Sequence, residues 1–251
     1  SETDGRDICM IARGHPIKTY IDGLDERLHG GIPFGNAVLI AGTSGTMKST
    51  LAYYILYHNA KAERKDAIYV TFEQSKDSII QQMNSLGLPY DVVKDYLTIL
   101  DMATMRGEVD DFGVKTTWIQ MAQQAIKDTY DRHGADLIAF DSLGIFQLVA
   151  GLEQPRAQLY QFVKRVKGFG ATSFWISEMD AGSQKYGRWD EDFLMDGVMH
   201  ITQQHRRETD FEFWMRVVKM RGVAHEKNFL SLNFGANGFS VAKIITDEKL
   251  K

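Results

Sequence analysis

Apolar positions along this chain fall into two alternating kinds of segment. Short unbroken runs at Val38–Ala41, Ala67–Phe72, Leu97–Leu100, Leu137–Asp141 and Thr172–Ser177 have the length and composition of strands buried on both faces. Between them, apolar residues recur at helical spacing over Lys48–Lys61, Asp77–Leu86, Lys115–His133 and Gln154–Phe169. Gly87 and Pro89 stop the second of these helices, and Gly134 ends the third. Tyr20–Leu28 reads as a short helical segment closed by Gly30-Gly31-Ile32-Pro33. Residues 101–113, with acidic Glu108, Asp110 and Asp111, read as a loop. From Asp196 the texture changes. Val198–Thr202, Phe211–Lys219, Phe229–Asn233 and Phe239–Ile244 predict strands joined by tight turns, with Asn237-Gly238 as one turn pair. Strand–helix alternation predicts an α/β fold: a mostly parallel twisted sheet flanked by helices, with a C-terminal antiparallel extension. One domain is expected over residues 16–245, between tails at 1–15 and 246–251.

The segment Gly42-Thr43-Ser44-Gly45-Thr46-Met47-Lys48-Ser49-Thr50 stands between the first predicted strand and the first long helix. Strand, glycine-rich turn and helix start are the context of a phosphate-binding loop. Backbone amides of the turn and the helix N-terminus would point at a β-phosphate. Lys48 would reach the β/γ-phosphates and Ser49 would sit on Mg²⁺. Met47 stands where the usual pattern has glycine. A side chain turned away from the nucleotide would be tolerated there; one turned inward would make a degenerate loop. Retained binding is the favoured reading, because every other element of the loop persists.

Ligands of open α/β sheets bind beyond the carboxyl ends of the strands. Four predicted strand ends carry polar groups there: the phosphate loop, Glu73, Asp141-Ser142 and Glu178. Asp141 closes an apolar strand and is assigned to Mg²⁺ together with Ser49. Glu73 is either the carboxylate that takes a proton from an attacking water or a helix N-cap or first-turn acid near Ser75. Glu178 reads as a solvated strand-end acid. Lys219 and Arg221, within Lys219-Met220-Arg221-Gly222-Val223-Ala224-His225, are expected on one face of a strand, as a solvated edge or as cations for a γ-phosphate.

Composition narrows the classes. The chain has 251 residues, 44% hydrophobic and 25% charged, with a formal net charge of −4. It therefore has no global electrostatic footprint for nucleic acid. The lone cysteine, Cys9, and the lack of a signal-peptide pattern lead us to expect a cytoplasmic protein. No run is long enough to span a membrane, and the histidines show no metal-ligand spacing.

In order, Ile21-Asp22-Gly23-Leu24-Asp25 with Gly30-Gly31-Ile32-Pro33, Gly42–Thr46, Val70-Thr71-Phe72-Glu73, Asp141-Ser142, Tyr186-Gly187 and Lys219–Gly222 with His225 make a pattern. It resembles KaiC-type ATPase domains of the RecA superfamily, including the archaeal KaiC-like proteins, from about Lys18 to about Val241. The resemblance implies a RecA-like core, ATP and Mg²⁺ as cofactors, and a hexameric ring with nucleotide between subunits. It implies that Glu73 is the catalytic carboxylate beside Lys48, and that Lys219, Met220, Arg221 and His225 reach a neighbour's nucleotide. Three departures stand out. Met47 replaces the loop glycine, Gln74 replaces a frequent second glutamate, and Glu191–Asp196 lacks the Ser-Thr pair of the clock protein's second domain. Three functions follow for comparison: a slow ring-forming ATPase regulating a protein partner, an ATP-holding scaffold or sensor, and a DNA-dependent recombinase-like ATPase. The acidic charge disfavours the last.

Overall fold

The computed structural model describes residues 14–109, 115–150, 154–205 and 210–244. Cys9, Asp110, Asp111 and the tail beyond Ile244 lie outside the described residues. Among the described residues, nine strands form one sheet: β1 (Ala37–Gly42), β2 (Ala67–Thr71), β3 (Leu97–Asp101), β4 (Leu137–Asp141), β5 (Thr172–Glu178), β6 (Gly197–His205), β7 (Phe211–Met220), β8 (Leu230–Gly235) and β9 (Gly238–Lys243). Their order is β3-β2-β4-β5-β1-β6-β7-β8-β9. The first six in this order are parallel, and β6 through β9 pair antiparallel. The fold is the mostly parallel α/β sheet with an antiparallel extension that the sequence pattern predicts.

The helices are α1 (Lys48–Glu63), α2 (Lys76–Ser85), α3 (Met102–Val109), α4 (Lys115–His133), α5 (Leu143–Ala150) and α6 (Pro155–Lys167). Alternation of side chains along each strand splits the core in two. Val38, Ile40, Phe174 and Ile176 pack under α1 and α2. Ala37, Leu39, Phe140 and Trp175 face α3 to α6. That double coverage explains why β1 is apolar at every position and fully buried. Helix α1 is also covered on both sides. Asn59 donates to the Lys18 carbonyl at 2.8 Å, and the Tyr54 ring packs edge-on against Phe239 of β9 at 5.1 Å.

Four expectations need correction. Residues 102–109 are helical rather than loop, because the Asp101 carboxylate accepts from the Thr104 amide and hydroxyl, both at 2.8 Å, and so caps α3. Helix α5 has no counterpart among the sequence expectations; its eight residues are nearly all apolar and too few for a period to stand out. Within Tyr20–Leu28 only Glu26–Leu28 is helical, as one 3₁₀ turn, since Tyr20 and Gly23 both have positive φ. The β8–β9 hairpin pairs Gly235 with Gly238, which shifts its turn to Ala236-Asn237. Among the described residues, no helix is long and apolar enough to cross a membrane.

Asp196 clamps the end of the sheet opposite the phosphate loop. It accepts from the Ala37 amide at 3.0 Å, from Lys167 at 2.6 Å and from Arg221 at 3.2 Å. Burial pushes its pKa up, but the Lys167, Ala37 and Arg221 contacts outweigh this and hold it below the usual value. A depressed native pKa gives stability that is present above the unfolded value of about 3.9 and lost as pH falls through the native one. Asp196→Asn is therefore expected to lower unfolding free energy at neutral pH by about 1–2 kcal/mol. The gap to wild type should shrink below about pH 4. Urea titrations across pH check this.

Candidate functional site

The chain leaves β1 at Gly42 and enters α1 at Lys48. Gly42 has no room for a side chain: a Cβ would lie 2.4 Å from the Ile201 carbonyl oxygen and 2.6 Å from Thr46 Oγ1. Gly45 turns the loop with φ +79°. The Thr43 carbonyl ties it together, accepting from Thr46 Oγ1 at 2.8 Å and from Lys48 Nζ at 2.7 Å. Met47 occupies the last position before the helix in the left-handed region, φ 63° and ψ 21°. That conformation suits glycine and costs a side-chain-bearing residue about 1–2 kcal/mol. The Met47 side chain packs against the core beneath α1, which is the orientation that leaves the loop amides uncovered. Methionine offers no capping acceptor, and the first turn of α1 contains no acid. The first amides of α1 and its dipole thus keep their capacity for an anion.

Beside this loop stands a buried polar cluster. Lys48 is 6% exposed and Asp141 9%. Burial lowers the Lys48 pKa, opposed by the charges of Glu178 and Asp141. Burial raises that of Asp141; hydrogen bonds from Tyr69 and Ser49 and the Lys48 charge oppose the shift, and Glu178 adds to it. Ser49 and Asp141 are neighbours and present hard oxygen donors, which fit Mg²⁺. Among the described residues, no group of three or more His, Cys, Asp or Glu could hold a metal. A cation here would therefore share its coordination with phosphate oxygens. Strand-end Glu178, paired in register with Gly42, is exposed yet acts electrostatically on both Lys48 and Asp141.

Glu73 is exposed, two residues past the end of β2 and on the same sheet edge. The capping reading of Glu73 fails, because Ser75 is the N-cap of α2 and accepts from the Ser78 amide at 3.3 Å. Gln74 is engaged locally, its side chain accepting from Ser78 Oγ at 3.2 Å. Sequence reasoning missed Tyr69, whose hydroxyl donates to Asp141 at 2.6 Å. Its signal was a lone hydroxyl-bearing ring inside an apolar strand.

Lys219, Met220, Arg221 and His225 do not join this cluster. Antiparallel β7 brings Met220 opposite Gly197, which pairs with Val38 at the start of β1. They lie toward the opposite end of the sheet, about 13 Å from Gly42 by the strand rise over Val38–Gly42. The expectation of two cations on one strand face also needs correction: β7 ends at Met220, so Arg221 falls in the following turn. Lys219 donates to the Asp192 carbonyl at 2.9 Å, and Arg221 pairs with Asp196. Met220 is buried in the core, and His225 Nδ1 lies 3.1 Å from the Val223 carbonyl. Beside Asp192, Phe193 is 66% exposed.

A phosphate loop opening an uncapped helix, with a hydroxyl and a carboxylate side by side at the sheet's carboxyl edge, defines a P-loop nucleotide-binding protein. A family model described as "ATPase: KaiC" matches residues 17–245, and the chain belongs to that family. Circadian clock oscillator proteins KaiC of Rippkaea orientalis and of a Picosynechococcus species are each 33% identical over 236 residues, covering 89% of this chain and 44% of the relative. The chain thus spans less than half the length of these relatives. The crystal structure of a KaiC-like protein from Pyrococcus horikoshii superposes with a TM-score of 0.78 at 24% identity, over 91% of this chain and 99% of that one. That likeness is one of fold.

The Met47 geometry predicts a specific ordering. Met47→Ala keeps the left-handed strain and loses the core contact, whereas Met47→Gly loses the contact but removes the strain. Met47→Gly should be the more stable of the two by about 1 kcal/mol in urea unfolding. A side chain turned away from the loop also predicts that Met47→Gly changes ATP affinity by less than about tenfold, while Lys48→Ala weakens it further, charge-assisted contacts being worth about 1.5–3 kcal/mol. Calorimetric titration with ATP and Mg²⁺ compares them.

Proposed function

We propose that this chain is an ATP-binding, slowly hydrolysing subunit of a homo-oligomeric ring, most simply a hexamer, whose nucleotide state controls a protein partner in the cytoplasm. Residues 16–245 would form its ATPase domain. The observation that carries this reading is the juxtaposition of the uncapped α1 N-terminus with Lys48, Ser49 and Asp141 on the edge where Glu73 is exposed. Amides from Gly42 to Thr50 would wrap the β-phosphate, and Lys48 would exchange the Thr43 carbonyl for phosphate oxygens. Mg²⁺ held by Ser49 and Asp141 would supply charge neutralisation at the γ-phosphate. Glu73 would orient the attacking water and accept its proton.

The position of the cations supports the ring. Lys219 and Arg221 are held at the other end of the sheet from their own phosphate loop, and a copy placed head-to-tail would bring them to the loop of its neighbour. Exposed Phe193 beside the Asp192–Lys219 contact is an apolar anchor suited to that interface. Arg221 would stabilise transferring phosphoryl charge in trans, and Met220, buried as it is, would contribute backbone only. A second reading, an ATP-holding scaffold or sensor, is favoured by Met47 at the strained corner and by Gln74 tied to Ser78.

The ring-ATPase reading predicts that Glu73→Gln lowers single-turnover hydrolysis by about a hundredfold or more without loss of ATP binding. Arg221→Ala should lower it by about a thousandfold. Size measurement should show assembly beyond the monomer with ATP and Mg²⁺. Wild-type rates in both variants would remove these assignments. Tight ATP binding without phosphate release in wild type would select the scaffold instead.

A further inference from the structure

Tyr69 sits in the middle of β2, where the core would be satisfied by any large apolar side chain. Its register partner on β4 is Ala139, the smallest apolar neighbour available. Side chains two apart on a strand share a face, so the ring lies over Ala139 and its hydroxyl arrives at Asp141, where it donates at 2.6 Å. From the other side, Tyr53 packs edge-to-face on Tyr69 with ring centroids 5.7 Å apart. Tyr53 stands one helical turn beyond Ser49 on α1. The Ser49 hydroxyl stands close enough to bear electrostatically on both Tyr69 and Asp141. A single phenol therefore links a strand, a neighbouring strand and the first turn of α1, at the two residues that fit Mg²⁺.

We propose that Tyr69 is a positioning residue for the metal carried with the nucleotide: its hydroxyl fixes one Asp141 carboxylate oxygen and leaves the other, with Ser49, aimed at the cation. This rests on the nucleotide-site reading above. The physical reason is that a buried carboxylate with unsatisfied lone pairs turns toward whatever donor it finds, here Lys48 or Ser49. Occupying one oxygen with a neutral donor on a rigid strand removes that freedom without cancelling the charge the metal needs. Partners that hold a metal ligand in place typically change metal affinity by roughly 10–100-fold when lost.

The test is Tyr69→Phe in the full chain, which keeps the buried ring and removes the hydroxyl. ATP affinity is measured by equilibrium titration with Mg²⁺ and again with EDTA. We expect affinity in EDTA to stay within about twofold of wild type and the Mg²⁺-dependent gain to fall roughly tenfold. Mn²⁺ should recover part of the loss, since its intrinsic affinity for such sites is higher. In an Asp141→Asn background the same change should have no further effect on the Mg²⁺ gain. Tyr69→Leu, with different packing but likewise no hydroxyl, should show the same metal-specific loss and serves if the Phe variant folds poorly. An unchanged Mg²⁺ gain, or an equal loss with and without Mg²⁺, overturns the proposal. Wild-type protein that binds no ATP in either condition overturns the nucleotide reading and this inference with it.

Discussion

Between Gly42 and Lys48 the backbone must reverse from a fully buried strand into a helix whose first amides point back over the strand's end. Two left-handed residues, Gly45 and Met47, close that turn, and the one just before the helix carries a side chain. Its dihedral is forced by the loop, and its side chain is held by the core beneath α1. The two effects oppose each other in stability and agree in geometry: strain is offset by apolar contact, and contact keeps the thioether off the anion cup. Lys48, Ser49 and the amides of the first turn take their directions from that corner.

The rest of the site is built outward from it by sheet register. β1 lies between β5 and β6, so Glu178 and Ile201 flank the loop at Gly42. β4 adds Asp141, and β2 adds Tyr69 below and Glu73 beyond. The same parallel register that collects these groups at one edge sends the end of antiparallel β7 to the other. The phosphate loop and the Lys219–Arg221 pair therefore stand at opposite ends of the sheet. Closed head-to-tail symmetry would bring one copy's pair toward its neighbour's loop, so the oligomer we propose rests on the position of the cations and not on the loop itself.

The phosphate loop and the parallel strands were legible in sequence because both are local: a spacing of glycines, and apolar runs that only double burial explains. The choice at Glu73 was not, since a strand-end acid and a capping acid look alike until Ser75 is seen to hold the cap. Helix α5 was hidden because an eight-residue apolar run is too short to tell helix from strand by its pattern. Helix α3 was hidden because Asp101 both ends a strand and caps the helix that follows, while also accepting from the Lys76 amide at the start of α2. Tyr69 was invisible for a different reason. Its partner is 72 residues away, and only the register of β2 on β4 brings them together. Lys219 and Arg221 were legible as a pair, but their distance from their own phosphate loop is a property of strand order alone.

The most direct test is a crystal structure with a non-hydrolysable ATP analogue and Mg²⁺. The account predicts the triphosphate seated on the amides of residues 43–49, with Met47 still left-handed and its side chain still against the core. A loop left empty at saturating nucleotide, or one in which Met47 has swung inward and closed the turn, would contradict it.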